Sequence, residues 1–142
     1  MTEAIIIREA KESEFSTITN YIQQFDLDNR ELYYKQFIVA IINEKIIGFA
    51  RVRKHKDCDE FCSLGVLDEY RQLGVSKLLI EARIKLATQP IYICCIIPHY
   101  FEKMGFEITN TYPNEMQNKL NYCANSLIVE EPYVVMQYKG KH

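Results

Sequence analysis

A predicted strand, a short polar loop with one glycine and an amphipathic helix follow one another between residues 60 and 87. The predicted strand is residues 60–66, and the predicted helix is residues 74–87, with an apolar face of Val75, Leu78, Leu79, Ala82 and Leu86. Backbone N–H groups at a glycine loop that leads into a helix form a concave anion site, which the helix dipole reinforces. Gly74 lets a ligand approach this backbone because it has no side chain. The segment therefore predicts a pyrophosphate site, although Arg-x-x-Gly alone is weak evidence.

The rest of the chain alternates predicted strands and helices. Apolar residues at helical spacing predict a helix over residues 11–24, and the polar residues 26–35 predict a second short helix. A short polar turn at residues 43–45 joins strands 37–42 and 46–54 into a hairpin. Further strands are predicted at residues 4–8, 91–97, 106–109 and 132–138, and further helices at residues 98–104 and after Pro113. Hairpins followed by a strand–helix–strand unit predict an α/β fold, with a mixed, mostly antiparallel sheet flanked by helices.

Length and composition indicate a single domain, residues 1–142. The chain is 48% hydrophobic and 25% charged, and no stretch rich in Pro, Gly or Ser divides it. Its 17 basic and 19 acidic side chains are well mixed, so we expect no nucleic-acid ligand. No apolar run reaches the roughly 20 residues that span a bilayer, and the N-terminus is unlike a secretory signal. We therefore expect a cytoplasmic protein that does not bind a membrane.

The cysteines predict buried free thiols. Their number is odd and no secretory context accompanies them, which disfavours a disulfide framework. Two of them are adjacent in a predicted strand, where their side chains point to opposite faces and cannot easily converge on one ion. We therefore expect no metal site from the five cysteines, Cys58, Cys62, Cys94, Cys95 and Cys123.

The glycine loop resembles a known signature. The run Arg71-Gln72-Leu73-Gly74-Val75-Ser76 is similar to the acetyl-CoA signature of the GNAT superfamily of N-acetyltransferases, Arg/Gln-x-x-Gly-x-Gly/Ala. The segments 7–10, 46–50 and 101–106 agree with that family in order, so the resemblance covers essentially the whole chain. It implies a GNAT-like fold and acetyl-CoA as the donor. The implied cofactor-binding residues are Leu64, Gly65, Val66, Arg71, Gln72, Leu73, Gly74, Val75 and Ser76.

The resemblance also implies catalytic residues. Glu60 stands six residues before Val66, where several branches of the family have a glutamate that deprotonates the attacking amine. The alternative for Glu60 is a solvated carboxylate at a strand end. Many members protonate the leaving thiolate with a tyrosine at the position of Phe101, which has no proton to donate, so its neighbour Tyr100 is the candidate acid.

A narrower resemblance concerns the acceptor. His99-Tyr100-Phe101-x-x-x-Gly105-Phe106 resembles a run in the acetyltransferase domains of bacterial N-acetylglutamate synthases, whose substrate-gripping arginine and a lysine fall on Ala124 and Leu127 here. Other residues could then bind the acceptor. The candidates are Arg30, Arg51 and His99, with Arg53 beside Arg51 on the same strand; a surface charge is the alternative for the arginines, and a structural role for His99.

The function implied by the resemblance is acetyl transfer from acetyl-CoA to the primary amine of a small molecule, one similar to an amino acid. The resemblance implies no metal, and it leaves open whether the protein forms a homodimer. Two alternatives remain: acetylation of a protein N-terminus or lysine, and a non-catalytic CoA-binding sensor, for which Phe101, Ala124 and Leu127 are the reasons.

Overall fold

The computed structural model describes residues 4–126 and 132–140, except for the side chain of Ser126. Its strands are β1 (Ile6–Glu9), β2 (Phe37–Ile42), β3 (Lys45–Lys54), β4 (Asp59–Val66), β5 (Ile91–Cys95), β6 (Phe106–Ile108) and β7 (Val134–Tyr138). Its α-helices are α1 (Phe15–Gln24), α2 (Val75–Leu86), α3 (Pro98–Glu102) and α4 (Asn114–Ser126), with short 3-10 helices at Glu12–Glu14, Tyr34–Gln36 and Asp68–Leu73. The strands follow the order β1-β2-β3-β4-β5-β7-β6 in a mixed sheet, which confirms the predicted fold class.

The contacts group the described residues into two compact units. The first unit comprises the chain up to residue 52 and residues 62–86, and the second comprises residues 53–61 and the chain from residue 87 onward. β4 therefore contributes residues 59–61 to the second unit and its remaining residues to the first.

The first unit is built on α1 and the antiparallel strands β1, β2 and β3. Ile18 and Ile22 are four residues apart, so they lie on one face of α1. They are at most 2% exposed and share one cluster with Phe37, Val39 and Phe49 of the strands. The helix predicted from apolar spacing over residues 11–24 is thereby confirmed, with a 3-10 turn before its α-helical part.

The hairpin between β2 and β3 is also confirmed. Ile42 pairs with Lys45, so the turn consists of only two residues, Asn43 and Glu44. Their φ angles are 49° and 65°. Two positive φ angles are the signature of the type I′ turn, whose twist matches that of the flanking strands.

The helix predicted over residues 26–35 is wrong. Most of this segment consists of turns and irregular backbone, and only Tyr34–Gln36 forms a 3-10 turn. Asp26 and Glu31 have φ angles of 55° and 54°, which a right-handed helix does not contain.

A contact from β3 explains this departure. The guanidinium of Arg51 donates to the carbonyl oxygen of Asp28 at 3.0 Å, to the carbonyl oxygen of Arg30, and to Oε1 of Gln36 at 2.8 Å. A helix would use those carbonyl groups for its own amides four residues later. Arg51 therefore occupies carbonyl groups that a helix would use for its own hydrogen bonds. The backbone of residues 26–35 adopts a conformation that fits the Arg51 guanidinium instead.

The second unit is organised around β5. Glu60 of β4 lies opposite Tyr92 in a parallel pair, and Ile93 lies opposite Met136 of β7 in an antiparallel pair. β6 pairs with the other side of β7. α4 supplies Met116, which is fully buried in a cluster with Cys58, Tyr92 and Val135.

Glycines in β3 and β4 permit unusually close packing in the first unit. A Cβ atom at Gly65 would lie 2.5 Å from Cζ of Phe49, whose ring is fully buried. A Cβ atom at Gly48 would lie 3.0 Å from the carbonyl oxygen of Gly65 and 3.1 Å from Cγ1 of Val75. Any side chain at position 48 or 65 would therefore displace the core.

We expect Gly65→Ala to lower the free energy of unfolding by about 1–3 kcal/mol, the usual cost of overpacking a core. Urea denaturation measures the change. Phe49→Leu in the same chain removes the ring atoms concerned, so the double variant should lose less stability than the sum of the two single variants. Unchanged stability of Gly65→Ala would contradict the packing described here.

Candidate active site

The predicted anion loop connects β4 to α2 through a left-handed glycine. The 3-10 helix Asp68–Leu73 ends at Gly74, whose φ and ψ are 75° and 20°. A left-handed residue at a helix end is usually glycine, because a side chain is strained there. α2 then begins at Val75. The backbone of this loop therefore depends on Gly74 for its conformation, besides the access to a ligand that the sequence indicates.

The first amides of α2 remain available at this loop. Leu78 donates its amide to the carbonyl oxygen of Gly74 at 3.2 Å, as the helical pattern requires. The amides of Val75, Ser76 and Lys77 precede it and have no partner inside the helix. Such amides lie at the positive end of the helix dipole, where an anion is favoured.

The surface of the loop is open. Residues 71–74 are exposed, and a Cβ atom at Gly74 would meet no atom within 4 Å. The side chain of Arg71 is 61% exposed; its Nη2 lies 3.0 Å from Oδ1 of Asp68, and its Nε donates to the carbonyl oxygen of Val66 at 3.2 Å. Val75 is fully buried and anchors the start of α2. The loop is thus anchored by a buried residue at the start of α2, and its exposed surface carries hydrogen-bond donors.

The end of β4 belongs to the same unit as the loop. Gly65 and Val66 are buried, whereas Leu64 is half-buried. The amide of Leu67, the next residue, donates to the carbonyl oxygen of Ile47 at 2.9 Å. The residue after Leu64, Gly65 and Val66 is thus tied to β3 by a backbone hydrogen bond, and the loop begins directly after it.

Glu60 is buried in the second unit and is not a solvated strand-end carboxylate. It is 1% exposed. Its Oε1 lies 2.8 Å from Nε2 of His55 and 3.8 Å from Nη1 of Arg53, and its Oε2 lies 3.5 Å from Nζ of Lys119. A buried carboxylate needs such partners, because removing a charge from water without compensation is costly. The solvated alternative for Glu60 is therefore wrong.

Sequence reasoning missed Lys119 and His55 as partners of Glu60. Lys119 is 4% exposed and stands between Met116 and Cys123, which are both buried on α4. A lysine at the apolar spacing of a helix is the available signal, since a buried lysine is rare unless it is paired. His55 lies in the turn before β4, and nothing in the sequence around it distinguishes it.

The two arginines proposed for acceptor binding already form hydrogen bonds with other atoms of the protein. Arg51 is fully buried, and its donors bind the segment 28–36 as described above. Arg30 donates from Nε to Oδ1 of Asp28 at 3.0 Å and from Nη2 to Oδ2 at 2.9 Å. The surface-charge alternative is wrong for Arg51. The geometry gives no support to an acceptor contact by either guanidinium.

The predicted residues of α3 differ in exposure. The side chain of His99 is 93% exposed, with Nδ1 3.5 Å from Oε1 of Glu102. Tyr100 is half-buried, and its ring meets that of Phe101 edge to face at a centroid distance of 5.1 Å. Phe101 is 5% exposed and packs against Phe106. Phe101 is thus a core residue, and its neighbour Tyr100 carries a hydroxyl group.

The candidate residues are divided between the units. The first unit contains the loop 71–76, the end of β4, Arg30 and Arg51, and the second contains Glu60, His99 and Tyr100. Ala124 is exposed on α4, and Leu127 lies outside the described residues.

The five cysteines are free thiols. Burial, reinforced by neighbouring carboxylates, raises the pKa of the Cys58 thiol to about 11. A hydrogen bond with the Cys123 thiol and burial raise the pKa of Cys94, while Cys95 donates to Sδ of Met136 at 3.6 Å. Among residues 4–126 and 132–140, no group of three His, Cys, Asp or Glu side chains could hold a metal ion. No helix in that part of the chain is long and apolar enough to cross a membrane.

Comparison with protein families gives a match over more than half of the chain. A family model described as "Acetyltransferase (GNAT) domain" matches residues 33–108, which include β2 to β6 and the glycine loop. No curated protein matches the chain.

Solved structures with the same fold include acetyltransferase complexes. One is N-acetylglutamate synthase from Neisseria gonorrhoeae, complexed with coenzyme A and N-acetyl-glutamate. The match covers 100% of the present chain and 36% of the synthase chain, with 15% identity and a TM-score of 0.78. A Mycobacterium tuberculosis protein in complex with CoA and NLQ matches over 93% and 97% of the two chains, with 15% identity and a TM-score of 0.74. An Arabidopsis thaliana protein bound to the bisubstrate analogue CoA-Ac-MVNAL matches over 94% and 97%, with 19% identity and a TM-score of 0.70. At these identities the likeness establishes the fold, and the chain spans about a third of the gonococcal synthase.

We expect Lys119→Met to lower the free energy of unfolding by about 3 kcal/mol, because it removes a cation from a buried carboxylate. Combining it with Glu60→Gln should recover part of the loss, with a coupling energy of about 0.5–3 kcal/mol in a double-mutant cycle. Lys103→Met, which changes an exposed lysine of the same unit, should stay within about 0.5 kcal/mol of the wild type. Additive losses from Glu60→Gln and Lys119→Met would show that the two side chains do not interact.

Proposed function

The chain belongs to the acetyltransferase (GNAT) domain family, and on that premise we propose that it transfers the acetyl group of acetyl-CoA to the primary amine of a small molecule. The observation that carries the proposal is the loop at the start of α2. It combines a left-handed Gly74, an exposed surface and helix amides without an internal partner, and it lies inside the region that the family model matches.

The donor would bind to the first unit. The amides of Val75, Ser76 and Lys77 would donate hydrogen bonds to the pyrophosphate of acetyl-CoA at the helix start. Arg71 adds a positive charge whose guanidinium is already oriented by Asp68 and the backbone of Val66. The pantetheine arm would follow the backbone of Leu64, Gly65 and Val66, in the manner of an added strand. One such amide could also stabilise the oxyanion of the tetrahedral intermediate.

The reaction requires the acceptor to lose a proton first. A free amine has a pKa of about 10, so at neutral pH it is largely an ammonium ion that cannot attack. After deprotonation the nitrogen attacks the thioester carbonyl carbon and the C–N bond forms. The nitrogen then gives up a second proton, the C–S bond breaks, and CoA leaves as a thiolate that takes up a proton.

We assign the role of proton acceptor to Glu60. Its carboxylate stands 2.8 Å from Nε2 of His55, whose side chain is 17% exposed, so the pair offers the proton a route towards solvent. Nearby Arg53 and Lys119 are cations that compensate the buried negative charge of the ionised carboxylate, which is the form that a base needs. Tyr100 is the candidate for protonating the thiolate, since Phe101 is a buried hydrocarbon ring.

An assay with a panel of acceptor amines tests the proposed function itself. Thiol release from acetyl-CoA should depend on an added amine, and mass spectrometry should find the acetylated product among amino acids, amines or polyamines. Acetylation of a peptide N-terminus or lysine instead would move the chain to the protein-acetylating alternative. Tight CoA binding by calorimetry with no turnover on any amine or peptide would replace the enzyme with a CoA sensor.

Gly74→Val tests the donor loop. We expect it to raise KM for acetyl-CoA roughly tenfold or more, because a β-branched side chain is strained at positive φ and would cover the amides that bind the pyrophosphate. Gly140→Val is a matched control, since Gly140 also has a positive φ of 93° and open space where a Cβ atom would stand. Equal KM values for acetyl-CoA in the two variants would show that the loop does not bind the donor.

A further inference from the structure

A buried hydroxyl on β4 has no hydrogen-bond partner. Ser63 is 4% exposed, and its Oγ forms no hydrogen bond with any residue that the structure describes. In the same part of the chain Oδ2 of Asp59 also lacks a partner, but Oδ1 of that carboxylate accepts a hydrogen bond from Nε2 of Gln89 at 2.9 Å. Ser63 differs from Asp59, because its only polar side-chain atom is the one without a partner.

A hydroxyl that is buried without a partner is unfavourable. It has given up its hydrogen bonds with water and has gained none inside the protein. Most buried polar atoms of side chains therefore have a partner, and an exception requires an explanation such as a bound water or a catalytic role. The position of Ser63 along β4 distinguishes these explanations.

The face of β4 that carries Ser63 is apolar at its next position. Burial alternates here, since Ser63 and Gly65 are buried and Cys62 and Leu64 are half-buried. Side chains alternate between the faces of a strand, so Ser63 and Gly65 share a face. A Cβ atom at Gly65 would lie 2.5 Å from Cζ of Phe49. An aromatic hydrocarbon ring, which has no carbonyl or carboxylate oxygen to accept from a hydroxyl, thus covers this face beside Ser63.

Ser63 stands where the acyl end of the proposed donor would lie. It belongs to the first unit, together with the loop and the end of β4. With the pyrophosphate at the amides of residues 75–77, the pantetheine arm would run back along β4 from Val66 to Leu64. The thioester would then come last, at the residue where Ser63 and Leu64 meet. Consecutive residues of a strand are only about 3.3 Å apart, so a group bound at the amide of Leu64 lies beside Ser63.

We propose that Ser63 is a catalytic residue whose hydroxyl donates a hydrogen bond to the thioester carbonyl oxygen of the donor. This inference rests on the proposed function and deepens it, because it names a side chain that acts on the reacting carbonyl group. When the amine nitrogen attacks, the π electrons of the carbonyl group move to its oxygen, which becomes an oxyanion. The proton stays on Oγ throughout, and the hydrogen bond weakens again when the carbonyl group forms and the C–S bond breaks.

The contact would stabilise the transition state more than the bound substrate. Hydrogen bonds to an ionised acceptor are roughly twice as strong as those between neutral groups, so the bond from Ser63 strengthens as the oxyanion develops. Serine hydroxyls and backbone amides are both used as oxyanion donors, and the amide of Leu64 would be the second donor. The hydroxyl is already removed from water, so its contact with the oxyanion costs no further desolvation. Loss of Ser63 should therefore lower kcat more than it raises KM for acetyl-CoA.

Ser63→Ala provides the first measurement. We expect kcat for acetyl transfer to fall at least about tenfold, with KM for acetyl-CoA within about twofold of the wild type. The melting temperature should be unchanged or higher, because the hydroxyl has no protein partner to lose. Ser16→Ala removes an exposed serine hydroxyl of the same unit and should leave kcat unchanged.

Infrared spectroscopy of bound acetyl-CoA provides the second measurement. With ¹³C at the thioester carbonyl, its stretching band can be followed in the complex, and a hydrogen bond to the oxygen lowers its frequency. We expect the band to lie lower in the wild-type complex than in the Ser63→Ala complex. Free CoA is the matched control, since it has no acyl carbonyl, and calorimetry should give it the same Kd in both proteins.

Each outcome decides one of the two proposals. The same carbonyl frequency in both complexes would overturn the contact, and an unchanged kcat would overturn the catalytic role; either result would leave the acetyltransferase function in place. Loss of the folded state in Ser63→Ala would also overturn the inference, because the hydroxyl would then have a structural role. Absence of turnover by the wild-type chain on every amine and peptide would overturn the proposed function, while the carbonyl frequency would still show whether Ser63 contacts the donor.

Discussion

The missing side chain of Gly48 determines how closely α2 approaches the sheet. A Cβ atom at Gly48 would lie 3.1 Å from Val75 and 3.3 Å from Leu79, so the first turn of α2 rests almost directly on the β3 backbone. Val75 is the residue after Gly74, and the anion loop is therefore fixed by packing at its helical end. The loop is exposed and short, yet it is held in place because the helix behind it is buried. Amides that are already oriented need no ordering when a ligand binds, and this favours an anion at the start of α2.

Local chemistry made several features predictable. The hairpin follows from its short polar turn, the helix after Gly74 from its apolar spacing, and the mixed sheet from the order of these elements. Residues 26–35 could not be predicted in this way, because their backbone is determined by Arg51, which lies fifteen or more residues further along the chain. A polar composition fits a short surface helix as well as a loop held by a buried guanidinium. Only the tertiary contact distinguishes them.

The same limit applies to the charged residues of the candidate site. Glu60 was predicted from its spacing to Val66, but the sequence does not reveal that His55, Arg53 and Lys119 surround it. Arg30 and Arg51 are of the residue type that binds a carboxylate, and in the structure they already bind oxygen atoms of the protein. Residue type indicates what a side chain can do, whereas its partners determine what remains for a ligand.

The proposed function depends on the amides at the start of α2, which would hold the pyrophosphate of the donor. Titration of the ¹⁵N-labelled protein with CoA, followed by amide chemical shifts, tests it most directly. We expect saturable shifts that are largest at Gly74, Val75, Ser76 and Lys77 and absent at Gly140. Saturable CoA binding that leaves the amides of residues 74–77 unchanged would contradict it.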